Sequence, residues 1–149
     1  MKNAVHFVSL AATAAVLAIP VASNAQGREV IVPQGGRGSA TLSQAVKVGN
    51  LVFGSGQLPA RGDSTIETQT TSALTNIKNV FEAAGTSMNN AVKCTVFLID
   101  VKDFQGMNSS YSKFWSPENP PPARSTVVVA ALVTPTAKLE VECIAAMPK

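Results

Sequence analysis

Histidine is almost absent: the 149-residue sequence holds a single one, His6. From Gln26 onward the chain therefore has no imidazole. That excludes a Ser-His-Asp triad, a Cys-His pair and any histidine-ligated metal site from the rest of the sequence. Cysteine is scarce as well, with only Cys94 and Cys143, each inside an apolar run. Two cysteines so far apart build no zinc motif, and sequence leaves open whether they bond or stay as buried free thiols. Charge of one sign is also lacking: 12 Lys and Arg against 9 Asp and Glu give a formal net charge of +3, and the cations stand singly. Without a basic stripe to track a phosphate backbone, no nucleic-acid partner is expected. Chemistry must then come from Arg, Glu, Asp, Tyr, Lys, Cys or backbone groups, with no metal and no cofactor expected.

What is present begins with an address label. Met1-Lys2-Asn3 is a short positive start, Ala4 to Val21 an apolar, alanine-rich run, and Ser23-Asn24-Ala25 offers small residues at the positions a signal peptidase reads. The expectation is a signal peptide over residues 1–25, cut before Gln26, and a secreted, periplasmic protein. The rival, a membrane anchor, is weakened by Pro20, His6 and the many alanines, so no stable span is expected after cleavage. Residues 26–42 are rich in glycine and polar side chains, including Gly35-Gly36-Arg37-Gly38, and read as a flexible lead-in. No lysine-bearing helix start follows those glycines, which argues against a phosphate loop.

The remaining residues, 43–149, suffice for one domain with one core. Ala45-Val46-Lys47-Val48 and Leu51-Val52-Phe53 around Gly49-Asn50 predict a β-hairpin. Ser64 with Glu67 reads as a capping box, and Ala73, Leu74, Ile77, Val80, Phe81 and Ala84 form a helical stripe that Gly85 ends. Val92–Ile99 has the β-branched and aromatic content of a buried strand, and a second helix is predicted over Lys102–Phe114. Pro117, Pro120, Pro121 and Pro122 then impose a stiff loop, followed by strands over Thr126–Leu132 and Lys138–Ala146. The last alternates Lys138, Glu140 and Glu142 with Leu139, Val141 and Cys143, as a strand with one wet face does. These elements predict an α+β fold: one mixed sheet with two helices packed on one face.

Two side chains carry candidate chemistry. Arg124 follows the proline loop, which restricts its backbone, and its guanidinium offers paired donors matched to a carboxylate, though taken alone such a residue is more often a surface salt bridge or an exposed cation. Glu140 has the chemistry of a general base acting on water, though a glutamate on the polar face of an edge strand is ordinarily just solvated. Tyr111 and Trp115, at helical spacing, read as core.

Four segments together resemble the RidA/YjgF family of reactive intermediate deaminases: Val48–Pro59 with its Ser55-Gly56-Gln57, Asn76–Gly85, Pro122-Ala123-Arg124-Ser125, and Leu139–Ala145 with its Glu140-Val141-Glu142. The resemblance runs from about Ser43 to Ala146. It implies the chorismate-mutase-like fold, a homotrimer with clefts between subunits, and hydrolysis of enamines and 2-imino acids to 2-keto acids and ammonia. In that scheme Arg124 binds the substrate carboxylate and Glu140 positions or activates the attacking water. Ser55 and Gly56 line the cleft, Asn108 matches the family's asparagine preceding the helix aromatic, and Thr126 supplies a backbone contact. A family tyrosine aligns with Leu42, which removes a phenolic donor. The alternative that this departure supports is a non-catalytic trimer of the same fold that holds a small carboxylate.

Overall fold

The computed structural model describes residues 27–36 and 39–149, and the signal-peptide segment lies outside them. Its elements run β1 (Glu29–Ile31), β2 (Ala45–Val48), β3 (Leu51–Gly54), α1 (Ile66–Ala83), β4 (Ala91–Leu98), α2 (Phe104–Tyr111), β5 (Ala123–Val128) and β6 (Leu139–Ala146), with short 3-10 turns flanking β4 and α2. The strands form a six-stranded sheet in the order β1-β2-β3-β6-β4-β5. All neighbours are antiparallel except β4 and β5, which run parallel. The expected α+β architecture is thus what the chain adopts.

One face of the sheet makes the core. Val52, Cys94, Val96, Leu98, Leu139, Val141 and Ala145 point toward the helices and are buried. The stripe read from sequence supplies the other half, with Ala73, Leu74, Ile77 and Phe81 fully enclosed. Cys94 and Cys143 sit directly opposite each other on β4 and β6 and form a disulfide inside this core. The opposite face carries no helix: Phe53 is 42% exposed and Val127 45%.

Four local readings are corrected. The cap of α1 is Thr65, whose hydroxyl accepts from the Thr68 amide at 3.2 Å, and not Ser64. The shift places Ile66 as the first helical residue, buried against α2. Glu67 does not reach back to the cap because its carboxylate rests against Gly106, where an added Cβ would come within 2.6 Å of Glu67 Oε1 and 2.5 Å of Ile66 Cγ2. That close helix approach is why α2 carries a glycine. The other end of α1 closes as predicted: Gly85, at φ 82°, donates to Glu82 O and Thr86 donates to Phe81 O, a Schellman motif.

Within the segment read as a flexible lead-in, Glu29–Ile31 pairs with β2 as an edge strand. The second predicted helix is shorter than its pattern, with α2 proper ending at Tyr111 and a 3-10 turn over Ser112–Phe114. Finally, β6 is an inner strand rather than an edge. Its wet side chains reflect a sheet covered on one face only.

Candidate functional site

Arg124 is the second residue of β5, the strand at one end of the sheet. Parallel pairing sets it beside Cys94, so its side chain leaves on the helical face and reaches α2. There Arg124 Nη2 donates to Asn108 Oδ1 at 2.6 Å, and Nη1 lies 3.8 Å from Met107 Sδ. The guanidinium carbon stands 4.5 Å from the centre of the Tyr111 ring, within cation–π range. Asn108 and Tyr111 are three apart on α2, the spacing that brings both to one cation. Trp115 follows with its ring centroid 4.3 Å from that of Tyr111.

These groups border a cavity of about 680 Å3 whose far wall is the proline loop. Arg124 is half-buried at its edge. Among the described residues no carboxylate lies within ion-pair distance of it. A partly desolvated cation held by an amide and a ring, with no acid beside it, keeps a charge that an anionic ligand would compensate. Burial pushes the Tyr111 phenol up to about 12, an effect that the neighbouring Arg124 charge opposes. Its hydroxyl is buried without a hydrogen-bond partner, so the ring is the part that meets the guanidinium.

A second cluster gathers Ser55, Gly56 and Glu140. Ser55 Oγ donates to Ser43 O at 2.6 Å, and the Ser55 amide donates to Gln44 O at 3.0 Å, pinning the turn that leaves β3. Gly56 lies so close to Glu140 that a methyl there would overlap its carboxylate. Glu140 pairs with Phe97 and therefore projects from the helix-free face. Leu42 is 49% exposed and borders a shallow depression with Ser55.

The six sequence-predicted residues thus fall into two groups. Arg124 and Asn108 meet directly on the helical face, with Thr126 on the same side of β5 and its hydroxyl buried without a partner. Ser55, Gly56 and Glu140 meet near the helix-free face. Within one chain β4 separates the two groups, and Arg124 and Glu140 are not brought together. Tyr111, read from sequence as core, is core and Trp115 packs partly buried against it, and both also line the Arg124 cavity. Their helical spacing carries no signal that separates a buried ring from a ring beside a cation.

Among the described residues no group of acidic, cysteine or histidine side chains is arranged to hold a metal, and no helix is long and apolar enough to cross a membrane.

Comparison with known proteins gives a consistent outcome. The family model described as Endoribonuclease L-PSP matches residues 37–147. Protein HMF1 of Saccharomyces cerevisiae is 41% identical over 113 residues, which cover 72% of this chain and 85% of that protein. The chloroplastic Reactive Intermediate Deaminase A of Arabidopsis thaliana is 42% identical over 111 residues, covering 70% of this chain and 58% of that protein. Among solved structures, E. coli TdcF with bound serine superposes with a TM-score of 0.72 at 35% identity, over 80% of this chain and 99% of that one. A match spanning most of the chain, joined to relatives above 40% identity and a shared fold, establishes that the chain belongs to the RidA/YjgF family, the Endoribonuclease L-PSP family of proteins.

Proposed function

We propose that this protein hydrolyses reactive enamines and 2-imino acids, adding water across the C=N bond and releasing a 2-keto acid and ammonia. The observation that carries the reading is Arg124: a half-buried guanidinium, oriented by Asn108 and the Tyr111 ring, at a cavity edge with no acid of its own. An imine carbon conjugated to a carboxylate is already electrophilic. Holding the carboxylate and directing one water therefore suffices, without a covalent nucleophile. The relative named as a reactive intermediate deaminase and the one holding serine support a small, carboxylate-bearing ligand.

Glu140 is the base for that water in this proposal, supplied by a neighbouring copy. Its position on the helix-free face, away from Arg124, supports a site completed across a seam between subunits, in a homotrimer that covers the exposed apolar sheet face. The same proposal places the protein outside the cytoplasm, in the periplasm. The apolar start of the sequence and the Cys94–Cys143 disulfide both suit an oxidising compartment.

The test is to generate 2-iminopropanoate with an amino-acid oxidase and follow its loss. Purified protein should accelerate it, and Arg124→Ala should abolish the acceleration. No acceleration, or a variant equal to the parent, defeats the reading. Leu42 favours one rival, a carboxylate-binding trimer without turnover, because an exposed aliphatic side chain offers no proton or donor to a reacting centre. Calorimetric binding of a keto acid with no imine hydrolysis would select that rival.

A further inference from the structure

The wall of the Arg124 cavity has a chemistry of its own. Four of its residues, Pro117, Pro120, Pro121 and Pro122, have no amide hydrogen, so that stretch of backbone offers a ligand almost no donors. The aromatic side is equally apolar: Trp115 packs on Tyr111, and the Tyr111 hydroxyl is turned into the protein. Several polar atoms nearby are engaged elsewhere. Asn108 Oδ1 accepts from Arg124, Ser112 Oγ donates to Ser109 O at 3.2 Å, and Ser116 Oγ accepts from the Asn119 amide at 3.3 Å. The cavity therefore has one charged anchor and an otherwise mainly aromatic and proline lining. At about 680 Å3 it lies within the range, roughly 300–1,000 Å3, of pockets that enclose drug-sized ligands. An imino acid derived from alanine, with a single methyl as its side chain, would leave most of that space to water.

We infer that this cavity selects 2-imino and 2-keto acids bearing a large apolar side chain, aromatic above all, with Trp115 as the specificity-determining residue. The inference rests on the reading of Arg124 as a carboxylate anchor. With the carboxylate on the guanidinium, an aromatic substituent extends over Trp115 and the prolines, where ring-on-ring and ring-on-proline burial replaces water. A hydroxylated side chain is disfavoured there, because it loses hydration against a wall made mostly of rings and prolines.

Calorimetry of the full protein with pyruvate and with phenylpyruvate tests this, together with the relative hydrolysis rates of the imines made by an oxidase from alanine and from phenylalanine. The expected preference for the phenyl compound is on the order of 10- to 100-fold, the span an apolar pocket commands. Trp115→Ala should collapse that ratio toward unity and Trp115→Phe should restore most of it. Ser112→Trp, which fills the cavity from the exposed side of the helix, should lower the same ratio without touching the core, and serves if Trp115→Ala does not fold. Equal affinity for pyruvate and phenylpyruvate, or a ratio unmoved by both Trp115→Ala and Ser112→Trp, overturns the inference and leaves the carboxylate anchor standing. Failure to bind either keto acid, with no imine hydrolysis, removes the anchor itself and the inference with it.

Discussion

Single side chains at the site make two expectations sharp. Tyr111 is the only tyrosine in the chain, so its phenolate absorbance can be titrated without ambiguity. Its pKa is pushed from 10.0 to about 12 by burial. A raised folded-state pKa means that the contribution to stability is complete below pH 10 and is lost as pH rises toward 12, because the unfolded chain releases the proton first. The loss across that window should be about 2–3 kcal/mol, and urea unfolding of Tyr111→Phe should lack that part of the alkaline decline. At neutral pH the same variant should be near-neutral in stability, since it deletes a buried hydroxyl that has no partner. Gly56 makes the second case. A methyl there meets the flexible end of Glu140, so Gly56→Ala should cost under about 1 kcal/mol of stability yet displace the carboxylate. The proposed imine hydrolysis should then fall by about 100-fold or more while the melting temperature moves by no more than a few degrees, the outcome expected if Glu140 is the base.

Elements differ in how far the sequence reveals them. Helix α1 was legible because its stripe has a helical period and its end has Gly85; the hydroxyl that caps it was misplaced by one residue, since Ser64 and Thr65 offer the same chemistry and only the burial of Ile66 chooses between them. Strand β1 was hidden because Glu29 and Val30 are exposed and three residues carry no period. The inner position of β6 was hidden for another reason: a strand wet on one face looks the same at the edge and in the middle. Of the candidate site, the proline loop alone left Arg124 indistinguishable from a surface cation, and the family resemblance singled it out; Tyr111 and Trp115 were legible as core, but not as neighbours of a guanidinium, since a core stripe and a stripe beside a cation share one pattern. The disulfide between β4 and β6 belongs to this scale as well. It closes a loop of 49 residues, and in the chain-entropy account that lowers the entropy of the unfolded state by the equivalent of about 4 kcal/mol. Unfolding in urea with and without reductant should therefore differ by about 2–4 kcal/mol, while an unchanged midpoint would show that strand pairing alone holds this register.

For the whole molecule, the decisive feature is that two chemically complementary groups sit on opposite faces of one sheet. Arg124 stands at the β5 end on the helical side, and Glu140 projects from the helix-free side beside Gly56. A single chain cannot close a small substrate between them. The exposed apolar face around Phe53 and Val127 gives a reason for copies to associate, and in the proposed trimer association would set one copy's Glu140 against the next copy's Arg124. Complementation follows from this arrangement. Arg124→Ala and Glu140→Gln chains should each be inactive alone. Unfolded together and refolded as a mixture, they should recover activity at about a quarter of the seams, those that join an intact Arg124 to an intact Glu140. If instead both groups acted from one chain, no mixture of the two variants would contain a whole site, and activity would stay at the level of the separate variants. Light scattering on the same samples must show assembled species, because a monomer active at full rate would be incompatible with a site split between copies.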